Sequence, residues 1–181
     1  MSLVGTESSK LIVLRGNSAS GKSSVAAGIR SRCGRGLAIV GQDNLRRVVL
    51  REHDRPGAAN IGLISLTARY ALDHGFHVIV EGILYASHYG DMLAELTADH
   101  RGMTRLYYMH VPLAETLRRH ATKPPATEYG EAEMSAWYRE LDLLPGVTEM
   151  IITEDASLDG TIQAIISDAG LIVCQQANAS R

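Results

Sequence analysis

Residues 16–23 read Gly16-Asn17-Ser18-Ala19-Ser20-Gly21-Lys22-Ser23, matching G-x-x-x-x-G-K-[ST]. The chemistry of that spacing is an anion cradle. Glycines let the backbone wrap so that successive N–H groups point inward at phosphate, and a helix opening behind them adds the positive end of its macrodipole. Lys22 supplies a full charge for β- and γ-phosphates, and the Ser23 hydroxyl offers an oxygen to octahedral Mg²⁺. With Ser24 next in the chain, residues 16–24 form a candidate nucleoside triphosphate site. A glycine turn that binds nothing is the competing reading; an apolar run just before the loop and a helical run just after it argue against that.

The loop alone does not separate kinases, GTPases and mechanical ATPases, so other residues must. Asp43 in GQDNLRR follows the second apolar run directly. In a parallel sheet, carboxyl ends of neighbouring strands open into one crevice, so Asp43 faces the nucleotide site. There it accepts a proton from an attacking hydroxyl, holds magnesium-bound water, or simply caps the next helix. Glu81 ends the apolar run HVIVE; it reads as an acid that orients magnesium's water, or as a strand-end acid in solvent. Arg46, Arg47 and Arg51 follow Asp43, with Arg47 and Arg51 on one expected helix face. They are bidentate partners for an anionic acceptor, or solvated helix charges. Arg118, Arg119 and Lys123 flank a loop containing Pro124 and Pro125. That cluster suits the negative end of a helix, and equally a lid that closes over transferring phosphate. Trp137 and Tyr138 read as packing for the lid helix rather than a stack for a base.

These residues need a scaffold, and the chain alternates in a way that builds one. KLIVLR (10–15), LAIVG (37–41), FHVIV (76–80), RLYYMHV (105–111) and MIIT (150–153) are strand-length apolar runs. Helical patterns fall at 22–32, 44–53, 59–74, 87–100, 112–119, 131–144 and 157–169. Five strands alternating with helices predict one three-layer α/β domain with a parallel sheet covered on both faces. The domain is expected over 10–172 with a lid at about 118–138, between a disordered lead-in (1–9) and a tail (173–181).

Composition narrows the partners. The 181 residues carry a formal charge of -2, which offers no global basic field for long nucleic acid or an anionic membrane. Of 18 cations only Lys10, Lys22 and Lys123 are lysines, and Arg is the planar partner for phosphate and carboxylate. Cys33 and Cys174 have no metal-ligand spacing, and no signal pattern or long apolar stretch appears. The expectation is a cytoplasmic protein without membrane contact.

The P-loop, Asp43-x-x-Arg46 after strand two, the acid at Glu81 and the segment VPLAETLRRHATK together resemble the small P-loop kinases. That group, of the nucleoside-monophosphate-kinase-like fold, includes polynucleotide 5′-hydroxyl kinases, chloramphenicol phosphotransferase and zeta-toxin-like kinases, and the likeness spans about residues 10–170. The resemblance implies a P-loop NTPase domain with a helical lid and sheet order 2-3-1-4-5. It also implies Asp43 as general base, Arg46 as acceptor clamp, and Arg119 and Lys123 as lid cations. Lys123 stands where polynucleotide kinases carry Arg, and Glu81 where they carry Asp. The expected reaction transfers the γ-phosphoryl of ATP to a hydroxyl of a small molecule. Gly16 to Ser24 hold ATP, Lys22 acts on the transferring phosphoryl, and Ser23 and Glu81 position Mg²⁺. Two alternatives stand beside it: a kinase of short nucleic-acid 5′-hydroxyl ends, and a non-catalytic NTP-binding module. For the latter, Asp99-His100-Arg101-Gly102 fits D-x-x-G, but after a helix and without any N-K-x-D.

Overall fold

The computed structural model describes residues 3–122 and 129–173; Cys174 lies outside them. Five strands, β1 (Lys10–Gly16), β2 (Leu37–Gly41), β3 (His77–Glu81), β4 (Met103–His110) and β5 (Met150–Thr153), form one parallel sheet in the order β2-β3-β1-β4-β5. This is the expected topology. Side chains alternate across a strand, so β1 feeds two cores: Leu11 and Val13 enter one, Ile12 and Leu14 the other. Helices α2 (Ala59–Asp73) and α3 (Ala86–Asp99) cover the first with Ile64, Ala68, Leu72, Leu93 and Leu96. Helices α1 (Lys22–Cys33) and α6 (Leu158–Asp168) cover the second with Val25, Ile29, Ile162 and Ile165. Each Val, Leu or Ile side chain among them, fully removed from water, contributes about 1.5–3 kcal/mol. The buried spacings (25, 29; 64, 68, 72) are the three-to-four residue stripes of amphipathic helices.

Register sets the site. Glu81 pairs with Leu14 on one side and Gly41 on the other, so its carboxylate lies between the P-loop strand and the strand that leads into Asp43. Gly16 pairs with Met109 and has φ 140°; a Cβ there would meet the Met109 carbonyl oxygen at 2.5 Å. Only glycine fits that close approach of two strands. Among the described residues no helix is long and apolar enough to cross a membrane.

Three sequence expectations are corrected. The lead-in is not disordered from residue 3 onward: Val4 is buried, pairs with His100, and exchanges backbone hydrogen bonds with Asp99 and Arg101. The Gly5 N–H donates to Asp73 Oδ1 (2.8 Å), and Ser9 Oγ meets His100 Nε2 (2.9 Å). These partners lie far along the chain, so no local pattern announces them.

The helix expected at 44–53 is a short π-helical segment, Asn44–Leu50. It closes with the Arg51 N–H on the Arg46 carbonyl and Arg51 left-handed at φ 52°. Arg47 and Arg51 therefore do not share a continuous helix face. Val48, Val49 and Leu50 stay exposed, so burial does not extend the helix, and Glu52 instead accepts the Ala59 and Asn60 N–H groups that open α2.

After α4 (Leu113–His120), the helix expected at 131–144 is the shorter α5 (Glu131–Trp137). Beyond it the chain is captured by polar groups of β1 and the P-loop, which outweigh its local helix propensity.

Candidate active site

The P-loop turns from β1 into α1 through Ala19 (φ 58°) and Gly21 (φ 105°), a wrap that aims main-chain N–H groups into a concavity. Lys22 is buried, and its Nζ donates to the Asn17 carbonyl (2.7 Å) and Ser20 Oγ (3.1 Å). Ser23 Oγ donates to Glu81 Oε2 (3.0 Å). Burial pushes the Glu81 carboxyl above its usual range, the Lys22 charge and the Ser23 hydrogen bond oppose this, and Asp43 adds to it. A cavity of about 190 Å³ is lined by Ser18, Ala19, Gly21, Lys22, Ser23 and Ser24 on one side and by Asp43 and Glu81 on the other.

Gly16, Asn17 and Ser20 do not line it. Gly16 serves the strand contact and Ser20 Oγ holds Lys22. The Asn17 amide forms a reciprocal pair with the Arg139 main chain: Nδ2 donates to the carbonyl (2.7 Å) and Oδ1 accepts the N–H (2.9 Å). Arg139 in turn lies over the Tyr85 ring (5.7 Å), and the Tyr85 hydroxyl donates to the Trp137 carbonyl (2.6 Å). Asn17 thereby ties the phosphate loop to an aromatic wall. Each of these hydrogen bonds is worth about 0.5–1.5 kcal/mol net. For a phosphotransferase built on this site, Asn17→Ala is therefore expected to raise the KM of the second substrate roughly tenfold while the KM of the nucleotide moves less than about threefold. Steady-state kinetics with each substrate varied checks this, and equal shifts in both constants would refute it.

Asp43 does not cap a helix. Its backbone is already helical, its side chain makes no capping hydrogen bond, and Oδ1 accepts from Arg46 Nη2 (3.0 Å). The carboxylate is largely exposed toward the crevice. It lines both the phosphate cavity and a neighbouring cavity of about 520 Å³, as do Ser18, Ile83 and Tyr129. The second cavity adds Arg46, Arg47, Arg51, Tyr85 and Trp137. The arginines singled out from sequence thus converge, although by a π-helical turn rather than along a helix face. Arg46 Nε is buried without a hydrogen-bond partner among the described residues. The floor is fixed by Gln42, whose Nε2 donates to Tyr89 Oη (2.7 Å) and Asp54 Oδ2 (3.1 Å), while the Tyr89 hydroxyl lies 2.8 Å from Asp54 Oδ1.

Arg118, Arg119 and Lys123 are the cations expected at a lid. Arg119 Nη1 donates to the Ser20 carbonyl (3.3 Å) and Nε to Glu115 Oε1 (2.6 Å). Hydrogen bonds from Arg118 and Arg119 push the Glu115 carboxyl down to about 2. Arg118 is the outer partner, exposed to solvent. Lys123 lies outside the described residues. Arg119 also borders a third recess of about 270 Å³, with Met109, Thr153 and Glu154, on the other side of the P-loop.

Sequence reasoning missed several groups. Trp137 was expected to pack the lid helix; it stands 39% exposed on the wall of the larger cavity, 5.0 Å from Tyr129 between ring centroids. Tyr138 points elsewhere, with its hydroxyl on the Val111 carbonyl (3.3 Å). Tyr85 and Ile83 come from a stretch in which no motif is legible. Arg15, inside a strand run, is fully buried: Nη1 binds both Glu149 oxygens (2.9 and 2.8 Å), Nη2 the Asp142 carbonyl and carboxylate, and Nε the Leu84 carbonyl (2.9 Å). A charged residue closing an apolar run is the signal that could have found it.

No protein-family model and no curated protein matches the chain. Solved structures do. The Mycobacterium tuberculosis APS kinase in complex with AMPPNP and APS superposes with a TM-score of 0.71 at 22% identity, over 91% of this chain and 97% of that one. A gluconokinase from Sinorhizobium meliloti gives 0.60 at 17%, over 94% of both chains. The Deinococcus radiodurans tunicamycin resistance protein gives 0.62 at 13%, over 92% and 99%. These likenesses show the fold, a three-layer α/β P-loop domain of the kind found in small kinases.

Proposed function

We propose that the chain is an ATP-dependent phosphotransferase acting on a hydroxyl of a small molecule, with Asp43 as general base. The observation that carries this reading is the junction: one carboxylate borders both the phosphate cavity and the larger one beside it. A hydroxyl held in the larger cavity would give its proton to Asp43 while its oxygen attacks the γ-phosphorus. The bond from that phosphorus to the β–γ bridging oxygen breaks and ADP leaves. Positioning of this kind is the larger part of phosphoryl-transfer catalysis.

The residues fit the nucleotide and its metal. The left-handed turn at Ala19 and Gly21, with Lys22 held inside the loop, suits a triphosphate tail. The Ser23–Glu81 oxygen pair is the hard-oxygen donor set that magnesium takes alongside phosphate oxygens and water. Bound there, Mg²⁺ would neutralise charge on the phosphate oxygens. Arg119, against the Ser20 carbonyl at the loop's rim, supplies a cation beside the transferring group, and its recess near Thr153 and Glu154 is a place for the base. Lys123 is assigned to the same lid role. The solved neighbours include an APS complex, a gluconokinase and a tunicamycin resistance protein, so the acceptor must be read from this chain's own cavity.

The test is labelled-phosphate transfer from γ-labelled ATP to a panel of hydroxyl compounds and 5′-hydroxyl oligonucleotides. Label in a small-molecule product supports the reading. Label in oligonucleotides alone would replace it with end phosphorylation, and ATP binding without any transfer would replace it with a binding module.

A further inference from the structure

His120, the last residue of α4, is not placed like an ordinary basic residue at a helix end. Such residues are favoured by the macrodipole and stand in water. His120 is only 5% exposed, and it lines the phosphate cavity together with Lys22, Asp43 and Glu81. Its Nε2 lies 2.8 Å from the Tyr129 carbonyl oxygen, and its ring stacks on the Tyr129 ring with 4.6 Å between centroids. A carbonyl only accepts, so Nε2 carries the hydrogen. Nδ1 is then the ring's second polar atom, and among the described residues it has no hydrogen-bond partner. Unlike the Nδ1 atoms of His77 and His110, it is not sealed from solvent. The opening beside it is the cavity that the ring lines.

The stacking partner fixes which end of that cavity His120 occupies. Tyr129 borders both the phosphate cavity and the larger one, as Ser18, Asp43 and Ile83 do. The His120–Tyr129 pair therefore stands at the junction, where the last phosphate of a bound nucleotide would meet the second substrate. Tyr129 is also held by the Arg47 guanidinium over its ring (5.8 Å) and by Trp137 beside it (5.0 Å).

We infer that His120 is a phosphate-contacting residue, which recognises the terminal phosphoryl group of a nucleoside triphosphate through Nδ1. This rests on the nucleotide half of the phosphotransferase reading and adds a group that no sequence motif contains. With the Nε2 hydrogen committed to Tyr129, a hydrogen on Nδ1 makes the ring an imidazolium, the form that a neighbouring anion favours. Lys22 in the cavity and Arg119 at the rim of the loop add positive charge, and Asp43 and Glu81 offset it. The extra negative charge of a third phosphate is what draws the proton. The resulting bond belongs to the stronger, charge-assisted class. A purely structural role would instead make His120 a tie between the end of α4 and the residue before the Gly130 cap of α5. The two roles use different nitrogens, so substitution can part them.

The experiment is calorimetry with AMPPNP and with ADP, each with magnesium, on the native protein, His120→Gln and His120→Asn. The Gln amide reaches the place of Nε2 and keeps the bond to Tyr129, with nothing at the place of Nδ1. The Asn amide stands at the place of Nδ1 and gives up Tyr129. His120→Gln is expected to weaken AMPPNP about tenfold or more while the ADP Kd stays within about threefold of native. ADP thus serves as the check that the loop is folded. His120→Asn is expected to bind AMPPNP at least about threefold more tightly than His120→Gln does. It should also shift the emission of Trp137, the chain's single tryptophan, which packs on Tyr129.

Equal weakening of AMPPNP and ADP by His120→Gln would overturn the inference, as would an AMPPNP Kd within about threefold of native. Either result leaves the nucleotide site standing and reduces His120 to a tie for Tyr129. An Asn variant that binds AMPPNP no better than the Gln variant would overturn it too. The phosphotransferase reading fails separately: selective loss of AMPPNP in a protein whose native form transfers no phosphate keeps the contact and removes the chemistry. A native protein that binds neither nucleotide removes both.

Discussion

Asp43→Asn is expected to lower turnover by about 10²–10⁴ with the Kd for ATP unchanged within about twofold, the loss typical of removing a positioned general base. The amide keeps the size of the side chain and can still meet Arg46, whose Nη2 lies 3.0 Å from Oδ1, so the larger cavity keeps its shape. What it loses is the capacity to take a proton. Single-turnover measurement of transfer, beside calorimetric ATP binding, separates the two. If transfer persists at more than about a third of the native rate, Asp43 is not the base and its role shrinks to that of an exposed ion-pair partner, a contact worth little by itself.

The second large effect is on stability. Arg15→Met is expected to cost about 3–5 kcal/mol, because it leaves buried carboxylates without their counter-charge. Glu149 is nearly inaccessible and Asp142 about one-quarter exposed, so Glu149 bears most of the loss. For a chain of this length the melting temperature should fall by roughly 6–20 °C in a calorimetric scan. Adding Glu149→Gln should return part of it, since the neutral amide no longer needs a cation. A fall of under about 2 °C for the single variant would mean that the network contributes no net stability. The same arginine holds the Leu84 carbonyl just before Tyr85, and Asp142 accepts the Ala86 N–H. Loosening it should therefore also blur the aromatic wall.

The parts of this molecule that sequence discloses are those governed by local rules. Strand runs such as LIVL and HVIV need only be apolar and short, and the P-loop needs only its glycines, lysine and serine in order. Asp43, Arg46 and Glu81 were legible because strand ends of a parallel sheet open on a common crevice. What stayed hidden depends on groups far apart in the chain. Helix α5 (Glu131–Trp137) ends where it does because Asn17 claims Arg139 and Arg15 claims Asp142 and Glu149, separations of more than 100 residues. Trp137 then faces the cavity rather than the helix packing. The π-helical turn after Asp43 was equally unreadable, since Val48, Val49 and Leu50 continue the helix-like pattern begun by Leu45 yet remain in water.

The pairing of Val4 with His100, together with the Gly5–Asp73 contact, fastens the front of the chain at the amino ends of the strands. The phosphate loop, Asp43 and Glu81 all stand at the carboxyl ends. A bead, dye or fusion partner attached ahead of Val4 would therefore hang from the pole opposite the crevice and leave its mouth clear. A protease that trimmed past Val4 would unseat a plug from the first core and soften the far side of the sheet before it touched the crevice.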